Sequence, residues 1–90
     1  MPRKVEMIRK SEARILMYIL NARRDIKNGG AIAFRLNIDY IYVMKILGQM
    51  YNKQWIKPHK YSGKTYFSLT ILAPIQAAKE KLMQEQMKLK

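Results

Sequence analysis

The sequence predicts a small, mainly α-helical domain that also contains one β-hairpin (an α+β fold). Three observations predict it. Apolar residues recur at helical spacing in several segments, a Ser-Gly turn lies between two short strand-like segments, and the chain has only 90 residues, of which 49% are hydrophobic. A chain of this length forms one domain with a modest core. We therefore expect no second large domain, no deep substrate cavity and no cleft for a large cofactor.

The first two helices are separated by a glycine pair. Isoleucine and leucine recur at helical spacing over residues 7–24, which predicts the first helix there. We expect this helix to end by Asn28-Gly29-Gly30, because glycine favours an open or left-handed backbone. A short second helix is predicted over residues 31–36. Asn37 follows it and tolerates the left-handed conformation that a sharp turn requires.

The third helix is predicted over residues 40–53, and it has two different faces. Asp39 is expected to cap it, because its carboxylate can accept hydrogen bonds from the open amides of the first turn. The apolar face consists of Val43, Ile46, Leu47 and Met50. The opposite face consists of Ile41, Lys45, Gly48, Gln49 and Asn52. An apolar residue on an outer face, with a glycine beside it, indicates a surface that contacts another molecule.

Two strands are predicted next, over residues 55–59 and 65–70, and the link between them contains the Ser-Gly turn. Pro58 donates no backbone hydrogen bond, so the first strand lies at a sheet edge. An isolated hairpin is marginally stable in water and must pack on the helices. The side chains expected to point inward are those of Ile56, Phe67 and Leu69.

The helical pattern returns over residues 71–90. We therefore divide the chain into a domain of residues 1–70 and a C-terminal helix of residues 71–90. Pro74 must lie in the opening turn of this last helix or kink it. Four residues near heptad spacing predict an interface between two copies of the chain: Ile75, Ala78, Leu82 and Leu89. The alternative is that this helix folds back onto its own domain.

The charge is strongly positive and unevenly distributed. The chain has 18 Lys plus Arg and 6 Asp plus Glu, for a formal net charge of +12. Residues 40–79 contain six lysines, several aromatic residues and no acid. A segment of this kind should present a positive face that attracts polyanions. The alternative is that the charge serves solubility alone.

The order of elements resembles a winged helix-turn-helix. The resemblance is carried by Ile32-Ala33 in the second helix, by Leu36-Asn37-Ile38 at the turn, and by Trp55-Ile56 and residues 66–70 in the hairpin. The chain is similar to transcription regulators of the MarR, ArsR and PadR type. It also resembles the archaeal Sso10a-type DNA-binding proteins, in which a dimerising helix follows the winged helix. The resemblance implies a homodimeric, double-stranded-DNA-binding transcription regulator in the cytoplasm, associated with the nucleoid.

The third helix is the element expected to enter the major groove, which admits an α-helix. There Ile41 would pack on a thymine methyl, Lys45 would donate to guanine or phosphate, and Gln49 would pair with adenine. The remaining predicted contacts lie on phosphates or in the minor groove: Arg35, Tyr40, Tyr42, Lys57, Lys60, Tyr61 and Lys64. An architectural protein that coats DNA with low specificity, and a protein–protein adaptor, are the alternatives.

Other chemistry has little support in the sequence. The chain has no cysteine, which excludes disulfides and thiolate metal sites, and His59 is its one histidine. The six acids are scattered, so no carboxylate pair is placed for acid–base catalysis. No apolar run exceeds six residues, far short of the roughly 20 needed to cross a bilayer. We therefore expect no enzyme activity, metal, cofactor or small-molecule substrate, and no membrane association.

Overall fold

The computed structural model describes residues 8–22 and 28–88. Within them the chain forms four helices and two strands, in the order α1 (Lys10–Asn21), α2 (Gly29–Leu36), α3 (Tyr40–Asn52), β1 (Ile56–Tyr61), β2 (Lys64–Leu69) and α4 (Ile75–Lys88). The mainly α-helical fold with one hairpin is confirmed.

The first helix is shorter than the 7–24 span that the sequence predicts. α1 ends at Asn21 because Ala22 has an extended backbone, with φ −82° and ψ 158°. Residues 7, 23 and 24 lie outside the described residues. At the other end, the Glu12 carboxylate accepts the backbone N–H of Arg9 at 3.0 Å and closes the first turn.

The glycine pair belongs to the second helix, so the prediction that α2 begins at residue 31 is wrong. The Asn28 side chain accepts the backbone N–H of Ala31 at 2.9 Å. This cap satisfies an amide that would otherwise be open, and the helix therefore begins at Gly29.

The turn between α2 and α3 forms as predicted. Asn37 is left-handed, with φ 55° and ψ 49°, and the N–H of Ile38 reaches back to the carbonyl of Ala33 at 3.0 Å. This is the bond that ends a helix in a Schellman motif. Asp39 then accepts the N–H of Tyr42 at 3.1 Å and caps α3.

Trp55 joins the end of α3 to both ends of the hairpin. Gln54 is left-handed, with φ 66°, which lets the N–H of Trp55 bond to the carbonyl of Met50 at 3.0 Å. The carbonyl of Trp55 accepts the N–H of Thr70 at 2.9 Å. The Trp55 side chain is buried, so this junction is held by packing as well as by hydrogen bonds.

The hairpin is a two-stranded antiparallel sheet closed by Ser62-Gly63. Both turn residues have positive φ, 53° and 76°, as a two-residue type I′ turn requires. Each strand lies slightly closer to this turn than the sequence predicts. Ile56 and Phe67 are buried and Leu69 packs partly buried against the core, which confirms the predicted inward side.

The core lies between the helices and the inner side of the hairpin. α4 packs along α1, while α2 packs on α3 and α1 also contacts β2. The side chains that are almost completely buried are those of Ile15, Leu16, Ile19, Ile32, Val43, Ile46, Leu47, Met50 and Ile56.

The last helix folds back onto its own domain. Ala78 is 0% exposed and belongs to the core of this chain, while the predicted contact of α4 with a second chain stays a prediction. Ile75 and Leu82 are partly buried against the same core. Leu89 lies outside the described residues. The described part of the apolar stripe of α4 packs against α1 and leaves Ile75 and Leu82 partly exposed.

Candidate nucleic-acid interface

One exposed stripe runs along the outer side of α3. Ile41, Lys45, Gly48 and Asn52 are all exposed, and their spacing of four, three and four residues puts them on one helix face. Ile41 is 76% exposed. The opposite face of α3 is in the core, so the two-sided helix that the sequence predicts is present.

Gln49 lies on a flank of α3 rather than on this stripe. It is half-buried and lines a cleft of about 550 Å³ toward the start of α1, together with Ile8, Arg9, Glu12, Lys53 and Lys81. The amide on the stripe is that of Asn52, which the predicted contacts did not include. Its spacing of four from Gly48 and seven from Lys45 is the signal that identifies it.

Tyr42 lies on the same flank as Gln49. Its hydroxyl is 3.4 Å from Oγ of Ser11 in α1, and its side chain remains 39% exposed. The first turn of α3 is thus tied to α1 through an exposed hydrogen bond. A phosphate could still approach this hydroxyl from solvent.

The other flank of α3 meets the hairpin at a cleft of about 420 Å³. Tyr40 and Lys64, both predicted contacts, line it together with the first turn of α2. Tyr40 is exposed, so it is not a core residue. The fold therefore brings the start of α3 and the second strand of the hairpin to one place.

A third cleft, of about 360 Å³, lies where α3 ends and the hairpin begins. Lys57 lines it together with Tyr51, Asn52 and Gln54. The stripe on α3 and the base of the hairpin are therefore neighbours, and Lys57 extends the polar surface that begins at Asn52.

The hairpin carries the other predicted contacts. Lys57, His59 and Tyr61 alternate along β1 and share one side, where Nε2 of His59 bonds to Oγ of Ser68 at 2.7 Å. Lys60 pairs across the strands with Thr65 on the other side. Every lysine of the hairpin is exposed.

Arg35 is exposed in the last turn of α2, where a cation is favoured by the helix dipole. The end of α2 is fixed by a different arginine, since the guanidinium of Arg14 donates to the carbonyl of Leu36 at 2.7 Å. Arg35 is thus left at the surface, beside the turn that leads to α3.

Lys53 differs from the other lysines of the acid-free segment because it is bound within the chain. Its Nζ lies 3.4 Å from Oε2 of Glu12, a residue that is only 2% exposed. The same Nζ is 4.4 Å from the centre of the Trp55 ring. Lys53 therefore binds a carboxylate and supports the junction at Trp55 at the same time.

Two kinds of site are absent from residues 8–22 and 28–88. They contain no group of three or more His, Cys, Asp or Glu side chains that could hold a metal ion. None of their helices has the length and apolar character needed to cross a membrane.

Solved structures of transcription regulators have the same arrangement of elements. MepR, a transcription regulator of the Staphylococcus aureus multidrug efflux pump MepA, matches 88% of this chain with a TM-score of 0.70 and 17% identity. The adhesin competence repressor AdcR of Streptococcus pyogenes matches 94% with a TM-score of 0.71 and 25% identity. A ZitR variant of Lactococcus lactis in complex with DNA matches 96% with a TM-score of 0.70 and 25% identity. These are MarR-family regulators.

This chain has the winged helix-turn-helix fold. In the usual terms of that fold, α3 is the recognition helix and the hairpin is the wing. The chain spans 61% of the MepR and AdcR chains and 57% of the ZitR chain. The neighbours are transcription regulators and not enzymes. No protein-family model and no curated protein matches the sequence.

Proposed function

We propose that this chain is a sequence-specific, double-stranded-DNA-binding transcription regulator that works in the cytoplasm on the nucleoid. The observation that carries the proposal is the exposed stripe of α3. One face of this helix forms the core, while the other face presents Ile41, which is 76% exposed, one helical turn from the exposed cation of Lys45. A helix held in this way is free to enter the major groove.

The side chains of the stripe suit the edges of base pairs. Ile41 can pack on a thymine methyl, and Lys45 can donate to the O6 and N7 acceptors of guanine. Asn52 can make the two hydrogen bonds that an amide forms with adenine. Gln49, the amide predicted for that role, reaches DNA only from the flank of the helix.

The wing supplies contacts that hold the protein on the duplex. Lys57, Lys60 and Lys64 are exposed along the hairpin, and Tyr61 lies at its tip with 63% of its side chain exposed. Arg35, Tyr40 and Tyr42 add donors around α3. Contacts of this type go to phosphates or to the minor groove. They fix the position of the protein on the duplex more than they discriminate between base sequences.

Two further observations support DNA as the partner. The exposed side chains of Lys45, Lys57, Lys60 and Lys64 lie on α3 and the wing, and residues 40–79 contain no acid, so this surface attracts a polyanion. A ZitR variant with this fold has been solved in complex with DNA.

The experiment that tests DNA binding is a titration of a 30-base-pair duplex at several salt concentrations. We expect the logarithm of affinity to fall linearly with the logarithm of salt, with a slope of about −0.9 for each phosphate neutralised. Lys45→Ala should weaken binding, whereas Lys79→Ala, which removes the same charge from the exposed surface of α4, should change it little. An affinity that is undetectable, or that does not depend on salt, would refute the proposal.

Selection of duplexes from a random pool at physiological salt separates a regulator from an architectural protein. A regulator enriches a defined sequence, and Lys45→Ala relaxes that preference. A protein that coats DNA retains affinity without enrichment, and in that case the specific function is wrong.

We further propose that the chain binds DNA as a homodimer, because helix-turn-helix proteins bind paired half-sites as dimers. The predicted interface residues Ile75 and Leu82 are only partly buried against the core of their own chain, so this side of α4 and the exposed side next to it can contribute to the interface. Met83 of α4, which is 61% exposed, is a candidate. Sedimentation equilibrium of the wild-type chain should give twice the monomer mass, and Met83→Lys should shift it toward monomer. A monomer at all concentrations, together with a non-palindromic selected site, would contradict the dimer.

A further inference from the structure

Gly48 lies in the middle of the exposed stripe, and none of the described residues packs closely enough to require a glycine there. Its backbone is helical, and a Cβ built there would meet no atom within 4 Å. Gly29 makes a useful contrast, because a Cβ at that position would come within 2.5 Å of Sδ of Met44. A side chain at Gly29 would require the Met44 side chain to move, whereas the space in front of Gly48 is open.

A glycine at such a position makes the helix less stable. Inside an exposed helix, glycine is less favourable than any residue except proline, because it loses more backbone freedom on folding. The position tolerates a side chain, and almost any other residue would strengthen α3. The open space in front of Gly48 points to a partner outside the chain as the reason for the missing side chain.

We propose that Gly48 is the point at which the backbone of α3 contacts the DNA duplex, and that the missing side chain sets how deeply the helix enters the groove. The inference rests on the proposed DNA-binding function and adds a specificity-determining residue to it. Glycine is the residue that lets a backbone approach a ligand most closely.

The neighbours of Gly48 on the stripe explain why depth matters. Ile41 and Asn52, near the two ends of α3, have short side chains, and both must reach base edges directly. Lys45 is long and flexible and reaches a phosphate or a guanine from farther away. A side chain at position 48 would hold the helix off the duplex, so the two short side chains would lose their contacts first. The depth to which α3 enters the groove should therefore affect sequence specificity more than it affects the overall affinity for DNA.

The charge of the surroundings favours DNA over a protein as the occupant of this face. No acid occurs in residues 40–79, and exposed lysines stand on the stripe and at the clefts on either side of it, at positions 45, 57 and 64. A polyanion satisfies all of these cations at once.

The test compares the wild-type chain with Gly48→Ala and Gly48→Leu. The probes are the duplex that the wild-type chain enriches from a random pool and a mixed-sequence duplex of equal length. Gln76→Leu, which adds a similar apolar side chain to the exposed surface of α4, is the control. Thermal melting of each variant accompanies the affinity measurements.

We expect both Gly48 variants to melt at a higher temperature than the wild type. Affinity for the enriched duplex should fall about fivefold for Gly48→Ala and more than tenfold for Gly48→Leu. Binding to the mixed-sequence duplex should fall less, and the salt dependence should stay the same because no charge changes. A more stable protein that binds its site less well is a result that damage to the fold does not produce.

Each failure has a distinct signature. If the wild type binds DNA and Gly48→Leu binds the enriched duplex equally well, Gly48 does not contact DNA, while the proposed function stands. An equal loss in Gln76→Leu would also overturn the inference, because the position of the side chain would then be irrelevant. If the wild type binds neither duplex, the proposed function itself fails.

Discussion

Replacing Lys53 by methionine should destabilise the protein more than replacing its partner Glu12 by glutamine. Lys53→Met keeps an apolar stem against Trp55 but leaves a buried carboxylate without its cation. Glu12→Gln removes that charge, and the glutamine oxygen can still accept the N–H of Arg9. Removal of a hydrogen-bonding partner costs most when a buried polar group is left unsatisfied.

The expected magnitudes follow from the burial of the pair. Removing one member of a fully buried ion pair costs about 3–5 kcal/mol. Here Glu12 is buried, but the Lys53 side chain is 40% exposed and the Nζ–Oε2 distance is 3.4 Å, so the loss is smaller. We expect about 1–2 kcal/mol for Lys53→Met and less than about 1 kcal/mol for Glu12→Gln. For a domain of this size, each kcal/mol corresponds to a fall of roughly 4–8 °C in melting temperature.

Urea unfolding of the wild type, both single variants and the double variant gives the free energies that test this reasoning. The double variant should be less destabilised than the sum of the two single variants, because it leaves no unpaired charge. If Glu12→Gln is the more damaging change, or if the two effects simply add, the buried carboxylate does not depend on Lys53.

Two other substitutions test the ends and the packing of the helices. Gln54→Gly should raise the free energy of unfolding by about 0.5–1 kcal/mol in urea, because glycine adopts the left-handed backbone at this position without steric cost; a fall would show that the side chain of Gln54 contributes to the fold. Ala78→Leu should lower it by about 1–3 kcal/mol, because the site is completely buried, while Gln76→Leu on the exposed side of the same helix should stay within about 0.5 kcal/mol. Equal effects at the two positions would contradict the packing of α4 on α1.

The central part of the fold could be predicted from the sequence because its signals are local. Asn37 and Asp39 mark the turn and the start of α3 through their own backbone preferences and hydrogen bonds. The Ser62-Gly63 turn marks the hairpin in the same way. The start of α2 was missed because the Asn28 cap overrides the weak helix preference of Gly29 and Gly30.

The arrangement of α4 could not be predicted because an apolar stripe does not specify what covers it. Ile75, Ala78 and Leu82 have the same spacing whether they face α1 or a second chain. The outcome depends on long-range packing, and α1 presents a suitable apolar surface within the same chain. The residues that form the α3 stripe could not all be predicted for a similar reason. Gln49 lies close to the outer face, and only the packing of α1 shows that it belongs to the flank.

The two hydrogen bonds of the Trp55 backbone tie the end of α3 to the base of the wing. On DNA, the distance between a groove contact made by α3 and a backbone contact made by the hairpin would therefore be fixed by the protein. Inserting one base pair between the two contact regions would shift one region relative to the other by about 3.4 Å and rotate it about the helix axis. The duplex would have to distort to restore both contacts. Recognition would then depend on the spacing between contacted positions as well as on their identity.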